Sequence, residues 1–320
     1  MDIKYCDFEA QVAEMEQRIQ ELGTFPAADG VDFSAELSKL RARRDQLLGD
    51  IYTRLTPWQR VQVARHPQRP YFLDYVRMMS DDFEELHGDR LFGDDKAIVT
   101  GFAAIAGVQM ALIGQQKGND VKENLARNFG MPRPEGYRKA LRVMKLAEKF
   151  RLPLVTIIDT PGAYPGMDAE ERGQGEAIAR NLREMAMLAT PIVSIVIGEG
   201  GSGGALAIGI ADRFIMLENS IYSVISPEGC ASILWHDSGK AEEAANALGI
   251  TAKELRRLKV ADEVLAEPLG GAHRDPLAMA ENLKQSILRN LSELSRLPRH
   301  RLVEKRLEKI RSIGPVLEHL

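Results

Sequence analysis

Two almost wholly apolar runs, Leu154-Val155-Thr156-Ile157-Ile158 and Ile192-Val193-Ser194-Ile195-Val196-Ile197, constrain this chain more than any other feature. A strand with one wet face alternates apolar and polar residues, so a run that is apolar at nearly every position must be covered on both faces. Each run has the length of one strand and falls far short of the ~18 apolar residues of a spanning helix. Helical stretches flank them, from Tyr137 to Phe150 and from about Glu170 to Leu188. Apolar strands alternating with helices predict an α/β fold built from βα units. Upstream, two β-rich segments, Ala97 to Ile105 and Val108 to Gln115, meet at Ala106-Gly107 and predict a hairpin. Downstream, Phe214 to Leu217 and Tyr222 to Ile225 read as further strands, and the chain from the 240s onward reads mostly as helix.

The ends differ from this centre. Phe8, Val12, Met15, Ile19 and Leu22 recur at steps of four and three, as do Phe33, Leu37 and Leu40, with Leu47 and Ile51 in phase. That stripe predicts two amphipathic helices joined by a turn region at Gly23 to Asp32, a helical arm that packs on its own domain or on another subunit. Thr56-Pro57 predicts a helix start, and residues 65–70 an extended basic connector. The basic tail from Arg296 to Arg311, with Glu304 and Glu308 among its cations, predicts a solvated helix face. The expected division is a helical arm over 1–56, a main domain over 57–295 and a helical tail over 296–320. A net charge of -4 exerts no pull toward nucleic acid or anionic lipid, so neither is an expected partner. Cys6 and Cys230 form no CxxC pair, which predicts no metal site in this chain and fits a reducing, cytoplasmic setting, as does the lack of a secretory pattern in Met1 to Tyr5.

The densest glycine cluster, Gly198-Glu199-Gly200-Gly201-Ser202-Gly203-Gly204, directly follows the second apolar run. Glycines let a backbone turn sharply and leave its amides bare, and the helix predicted from Ser202 adds unpaired N–H groups to the same space. Two motifs overlap in this cluster, and a third follows the first apolar run. Gly198, Gly200 and Gly203 match GxGxxG with Glu218 about 20 residues on, but the following helix is short and interrupted at Gly209. Gly200 to Gly204 match GxSxG, a serine hydrolase elbow at Ser202, yet no feature places His236, Asp237 or His273 against that serine. Asp159-Thr160-Pro161-Gly162 imitates the DxxG of GTPases, but the chain holds no GxxxxGK[ST] phosphate cradle. What remains is either an oxyanion hole made by the amides of Gly203 and Gly204, or a tight turn with no ligand.

Five stretches then carry a resemblance: residues 65–70, Asn128 to Pro132, Ile158 to Gly166, Gly198 to Gly209, and Ile225 to Trp235. They resemble the carboxyltransferase alpha subunits of multi-subunit acetyl-CoA carboxylases, over nearly the whole chain. The resemblance implies a crotonase-like (ClpP/crotonase) fold of stacked ββα units with an N-terminal helical hairpin and C-terminal helices. It implies transfer of a carboxyl group from carboxybiotin to acetyl-CoA, giving malonyl-CoA for fatty acid biosynthesis. The implied partners are a beta subunit in an α2β2 heterotetramer, the biotin carboxyl carrier protein that presents carboxybiotin, and the ATP-using biotin carboxylase. Zinc is expected on the beta subunit only. Gly203 and Gly204 would face the biotin ureido oxygen, with Gly200, Gly201 and Ser202 beside them. Gly162, Ala163, Tyr164 and Gly166 follow the first apolar strand as a ligand loop, and Tyr164 lines the biotin channel or simply packs. Arg172 either anchors the migrating carboxylate or pairs with Glu171 or Glu176. Eight basic residues between Gln115 and Lys145 either attract CoA phosphates or an acidic partner surface, or form solvated faces. A crotonase-like scaffold without chemistry is the competing class.

Overall fold

Successive residues of each apolar run point to opposite sides of one sheet, and helices cover both sides. Val155, Ile157, Val193, Ile195 and Ile197 pack into one core. Leu154, Ile158, Ile192 and Val196 pack into another. The only polar members, Thr156 and Ser194, hydrogen-bond each other at 2.6 Å, and Thr156 Oγ1 lies 2.7 Å from the Ile208 carbonyl. Two hydroxyls can thus be buried without an orphaned group.

The computed structural model describes residues 3–24 and 33–314. Most of the turn region expected at Gly23 to Asp32, and the last six residues of the tail, lie outside the described residues. The arm contains α1 (Ala10–Thr24) and α2 (Ser34–Thr53). Then come α3 (Pro57–Ala64), α4 (Phe72–Met79), β1 (Asp82–Glu85), β2 (Ile98–Ile105), β3 (Val108–Gln115), α5 (Val121–Ala126) and α6 (Pro134–Phe150). The central part runs β4 (Leu154–Thr160), α7 (Met167–Glu171), α8 (Gln174–Met187), β5 (Ile192–Gly201), α9 (Ser202–Leu206), β6 (Arg213–Leu217) and β7 (Ile221–Ser223). The chain continues with α10 (Pro227–Trp235), α11 (Ala241–Leu248), α12 (Ala252–Arg257), β8 (Glu263–Leu265), α13 (Pro276–Leu294) and α14 (Arg299–Arg311).

The strands form one sheet in the order β1-β2-β3-β4-β5-β6-β8, with β7 paired to the far end of β5. β1, β2 and β3 are antiparallel, and pairing is parallel from β3 onward. The β2–β3 hairpin turns at Ala106 and Gly107 with φ of 49° and 77°, the left-handed pair that fits the twist of two strands. Side chains of α4 and α13, among them Phe72, Tyr75, Leu283 and Ile287, fill the first core. Those of α6 and α8, among them Tyr137, Met144, Ala177 and Met185, fill the second. Thr56 caps α3 by accepting the Gln59 N–H while Gln59 returns a bond to the Thr56 N–H, so the predicted helix start is present.

Four expectations need correction. Residues 65–70 are not extended: Arg65 N–H and His66 N–H bond back to the Val61 and Val63 carbonyls, and Arg69 N–H to His66. This turn drives Arg69 into the core, where it is 3 % exposed and meets Glu267 in a fork–fork pair at 2.8 and 2.5 Å. The helix expected from about Glu170 to Leu188 is two, broken at Gly173 with φ 82°, a conformation that ends α7 and re-aims the chain. The basic tail is not wholly solvated: Arg306 is 1 % exposed, with its guanidinium on both Asp212 oxygens and the carbonyls of Met185, Leu188 and Thr190. Charge pattern on one helix could not reveal a carboxylate contributed from elsewhere in the sequence. Finally, β5 does not stop at Ile197 but continues through Gly201, because β7 pairs with Glu199, Gly200 and Gly201.

The arm does pack on its own domain through its first residues. Buried Glu9 takes Arg274 at 3.0 Å, and the Lys4 carbonyl lies 3.0 Å from His66 Nε2.

Candidate functional site

The glycine segment is a strand that ends against a loop. Between β4 and β5 the register shifts at Ile158 to Thr160 and resumes with Thr160 opposite Gly200. There the two strands lie so close to the following backbone that side chains are excluded. A Cβ on Gly201 would sit 2.1 Å from the Pro161 carbonyl oxygen, and one on Gly204 would sit 2.6 Å from the Gly162 carbonyl carbon. Ser202, with φ 49°, makes the corner between β5 and α9. Neither the Gly203 N–H nor the Gly204 N–H donates to any group in the chain among the described residues. Both belong to the first turn of α9, whose early amides have no intrahelical acceptor. Gly204 is buried and Gly203 half-buried.

The loop after β4 covers this corner. Thr160 Oγ1 accepts the Gly162 N–H at 3.1 Å, and the Tyr164 N–H donates to the Pro132 carbonyl at 3.0 Å. Gln174 Nε2 donates to the Tyr164 carbonyl at 2.9 Å, and the Arg133 guanidinium lies 4.5 Å from the Tyr164 ring centroid. Tyr164 is therefore half-buried and packed, and Gly166 lies against its ring. The structure thus gathers Gly162, Ala163, Gly200, Gly201, Ser202, Gly203 and Gly204 at one corner, with Tyr164 and Gly166 in the loop that closes it.

Arg172 is not part of this corner. Its Nε donates to Glu135 at 2.6 Å, its Nη groups reach Asp168 at 3.3 and 3.4 Å, and it lies 4.6 Å over the Phe92 ring. The partners expected for it, Glu171 and Glu176, are not the ones it finds: Glu135, from the start of α6, and Asp168, one turn earlier in α7, take it instead. The basic excess between Gln115 and Lys145 is likewise mostly spent inside the protein. Lys117, Arg133, Arg138, Lys139 and Lys145 all form ion pairs, and Arg127 and Arg142 bond backbone carbonyls. Lys122 and Lys145 remain exposed, so this part of the segment is a solvated face.

Beneath the glycine strand lies a charge network that none of the motifs above includes. Lys117, two residues past β3, donates to Asp159 at 2.7 Å and Glu199 at 2.9 Å. Glu199 also takes Arg65 Nε at 2.6 Å, and Arg65 continues to Glu228 at 2.5 Å. The Glu199 N–H donates to Asp159 at 3.0 Å. Burial opposes charge on both central groups. Lys117 and Arg65 nevertheless outweigh it at Glu199 and hold that carboxyl at about 2. Asp159 and Glu199 in turn push the Lys117 ammonium well above the usual lysine range, again against burial. Gln115, the last residue of β3, bridges the Asp159 N–H (3.1 Å) and the Gly204 carbonyl (2.7 Å). One signal could have found these residues: a charged Asp159 or Glu199 inside an apolar strand demands a buried partner. Arg65, Pro161, Glu199, Gly201, Ser223 and Pro227 together line a narrow cleft beside the corner, with room for about 20 Å³.

Among the described residues no nucleophile–base pair is placed here, and none of the histidines partners Ser202: His236 ends α10 and His273 stacks on His66 at 3.8 Å. Among the described residues no group of His, Cys, Asp and Glu is placed to hold a metal ion, and no helix is long and apolar enough to cross a membrane.

Residues 5–314 match the family model described as acetyl co-enzyme A carboxylase carboxyltransferase-like. The chain belongs to this family. It is 57% identical over 314 residues, 98% of each chain, to a protein of Methylococcus capsulatus named acetyl-coenzyme A carboxylase carboxyl transferase subunit alpha. A protein of the same name from Xanthomonas campestris pv. campestris is 56% identical over 319 residues, the full length of both. Among solved structures, a chain of a Pseudomonas malonate decarboxylase hetero-tetramer in complex with coenzyme A aligns with a TM-score of 0.59 at 17% identity, over 74% of this chain and 94% of that one. The transcarboxylase 12S core aligns with a TM-score of 0.54 at 21% identity, over 68% and 42%. These structures bear out the crotonase-like α/β fold. Membership in this carboxyltransferase family makes the chain a transferase subunit, one that works with other subunits.

Proposed function

We propose that this chain is the alpha half of an acetyl-CoA carboxyltransferase, moving the carboxyl group from carboxybiotin to acetyl-CoA to give malonyl-CoA. The observation that carries the reading is the pair of uncommitted amides at Gly203 and Gly204, held at a closed corner in a chain of this family. Carboxybiotin, brought by its carrier protein, supplies the carboxyl group and, once that has left, a basic ureido nitrogen. The chain's own part is to receive the ureido oxygen on the two N–H groups, where negative charge grows as the carboxyl group departs. Each well-aimed donor of this kind contributes ~3–4 kcal/mol to a transition state. That the described residues place no paired side-chain base at the corner fits, since the biotin nitrogen can take the proton of the acetyl-CoA methyl group. Gly200, Gly201 and Ser202 form the corner wall, and Gly162, Ala163, Tyr164 and Gly166 cover it and limit water, which a released CO2 requires. Arg172, spent on Glu135 and Asp168, orders the covering loop rather than binding the carboxylate.

A beta subunit completes the site in an α2β2 assembly, brings the acetyl-CoA oxyanion donors and carries the zinc, while biotin carboxylase uses ATP to recharge the carrier. Val224, Ile233 and Leu234, exposed by 76, 67 and 63%, stand next to the cleft residues Ile225 to Pro227 and suit such a partner. The division into arm (1–56), carboxyltransferase domain (57–295) and tail (296–320), and a cytoplasmic setting, belong to the same reading.

The test is Gly203→Val in the reconstituted complex. A Cβ on Gly203 would lie 3.4 Å from the flexible end of Ile178 and meet no backbone, so the variant should fold and assemble. Valine keeps the N–H but crowds the corner and shifts the amide's aim, so malonyl-CoA formation should fall ~100-fold. Wild-type turnover in an assembled variant complex would remove Gly203 from the mechanism.

A further inference from the structure

α9 is five residues long, and a helix that short has almost no stability of its own. Its orientation must be imposed from outside. The loop at Gly162 presses on Gly204, but packing limits distance without fixing how the peptide planes are rotated. One side chain among the described residues hydrogen-bonds to the α9 backbone, and it is Gln115. Its Nε2 donates to the Gly204 carbonyl at 2.7 Å, and its Oε1 accepts the Asp159 N–H at 3.1 Å. Gln115 is fully buried, and its own position is fixed by antiparallel pairing opposite Ile98. Because one end of its amide must donate and the other accept, a flip would set N–H against N–H and oxygen against oxygen. The contact therefore has a single orientation, tied through Asp159 to the end of β4 and to the Lys117–Glu199 pair.

We infer that Gln115 is a positioning residue for carboxyl transfer: it fixes the rotation of α9 and so the aim of the Gly203 and Gly204 N–H groups. This rests on the oxyanion role proposed for those two amides and adds a residue that touches no substrate. Glutamine has the required chemistry and its neighbours in kind do not. Asparagine is one methylene shorter and cannot span both contacts. An ionised glutamate would keep the bond from Asp159 but set a negative oxygen against the Gly204 carbonyl.

The experiment compares three variants in the reconstituted holoenzyme: Gln115→Met, of similar length without hydrogen bonds; Gly203→Val; and Leu291→Ala. Leu291 is a buried residue of the opposite core and reports what a loss of stability alone does. At a temperature where all complexes stay folded and assembled, Gln115→Met should lower kcat about 10–100-fold, the scale on which a small misplacement of catalytic donors acts. KM for acetyl-CoA should stay within about twofold, because its oxygen is held by the partner. Leu291→Ala should lower the melting temperature while keeping kcat. If Gln115→Met keeps kcat within threefold while Gly203→Val is inactive, the positioning role is refuted and the oxyanion role stands. If Gly203→Val also turns over normally, both fall. Should Gln115→Met fail to assemble, Gln115→Glu, which retains the Asp159 contact, decides instead. A loss of kcat at unchanged KM supports the inference, and full turnover overturns it.

Discussion

Replacing Lys117 with methionine would leave two carboxylates facing each other under the glycine strand. Lys117 Nζ sits 2.7 Å from Asp159 and 2.9 Å from Glu199, whose side chains are 4 and 10% exposed. Removing one partner of such a buried pair typically costs ~3–5 kcal/mol, because the remaining charge is stranded. The charges around Glu199 point to the same scale. Its carboxyl is held at about 2 rather than 4.5, burial notwithstanding, by Lys117 first and Arg65 second. At 1.36 kcal/mol per pH unit that difference is worth roughly 3 kcal/mol of folding free energy. Since the depressed group is an acid, the contribution is fully present above pH 4.5 and is lost as the pH falls from there to about 2. In Lys117→Met the two carboxylates face each other with only Arg65 left to hold Glu199, so the site takes up protons more readily than in the parent. The variant should therefore be ~3 kcal/mol less stable at pH 7 and regain part of that deficit on going to pH 5. Urea unfolding at the two pH values measures both effects. A loss under ~1 kcal/mol at pH 7, or a variant that weakens on acidification as the parent does, would refute this account of the network.

Two further outcomes follow from the geometry. Gly204→Ala should destabilise by about 1–3 kcal/mol, since its methyl would meet the backbone of Gly162 and Ala163, whereas Gly203→Ala should stay within ~1 kcal/mol; thermal melts of the pair check the contrast. His273, whose ring nitrogens have no partner, is held at about 3 by burial first and then by the cations and His66 around it. A base with a lowered value stabilises the fold above its unfolded 6.5 and loses that contribution as the pH falls from 6.5 toward 3, so His273→Phe should flatten the stability profile across that window. An unchanged profile in the variant would assign the acid lability elsewhere.

Much of this protein was legible in residue order alone. The two apolar runs required a sheet covered on both faces, and Leu154 to Ile158 and Ile192 to Ile197 are buried in its two cores. Ala106-Gly107 marked the hairpin and Thr56-Pro57 the start of α3. Those features are local: a covered strand, a tight turn and a helix cap each depend on neighbours within a few residues. The stretches around Gly198 to Gly209 and Ile225 to Trp235 were long enough to point to the family, which the relatives bear out.

The tertiary structure alone decided where the charges went. Arg172 turns to Glu135, Arg69 to Glu267, Arg306 to Asp212 and Lys117 to Asp159 and Glu199, across separations of 37 to 198 residues. The same holds for β1 and for the extension of β5 through its glycines, which exist because β2 and β7 come to lie beside them. An ion's partner and a strand's neighbour are chosen by which distant segment the fold brings within ~3 Å, and periodicity along one segment carries no record of that choice. The glycine segment sits between the two regimes: its composition announced bare amides, but only the packing of α9 against Gly162 and Gln115 showed that those of Gly203 and Gly204 remain unspent.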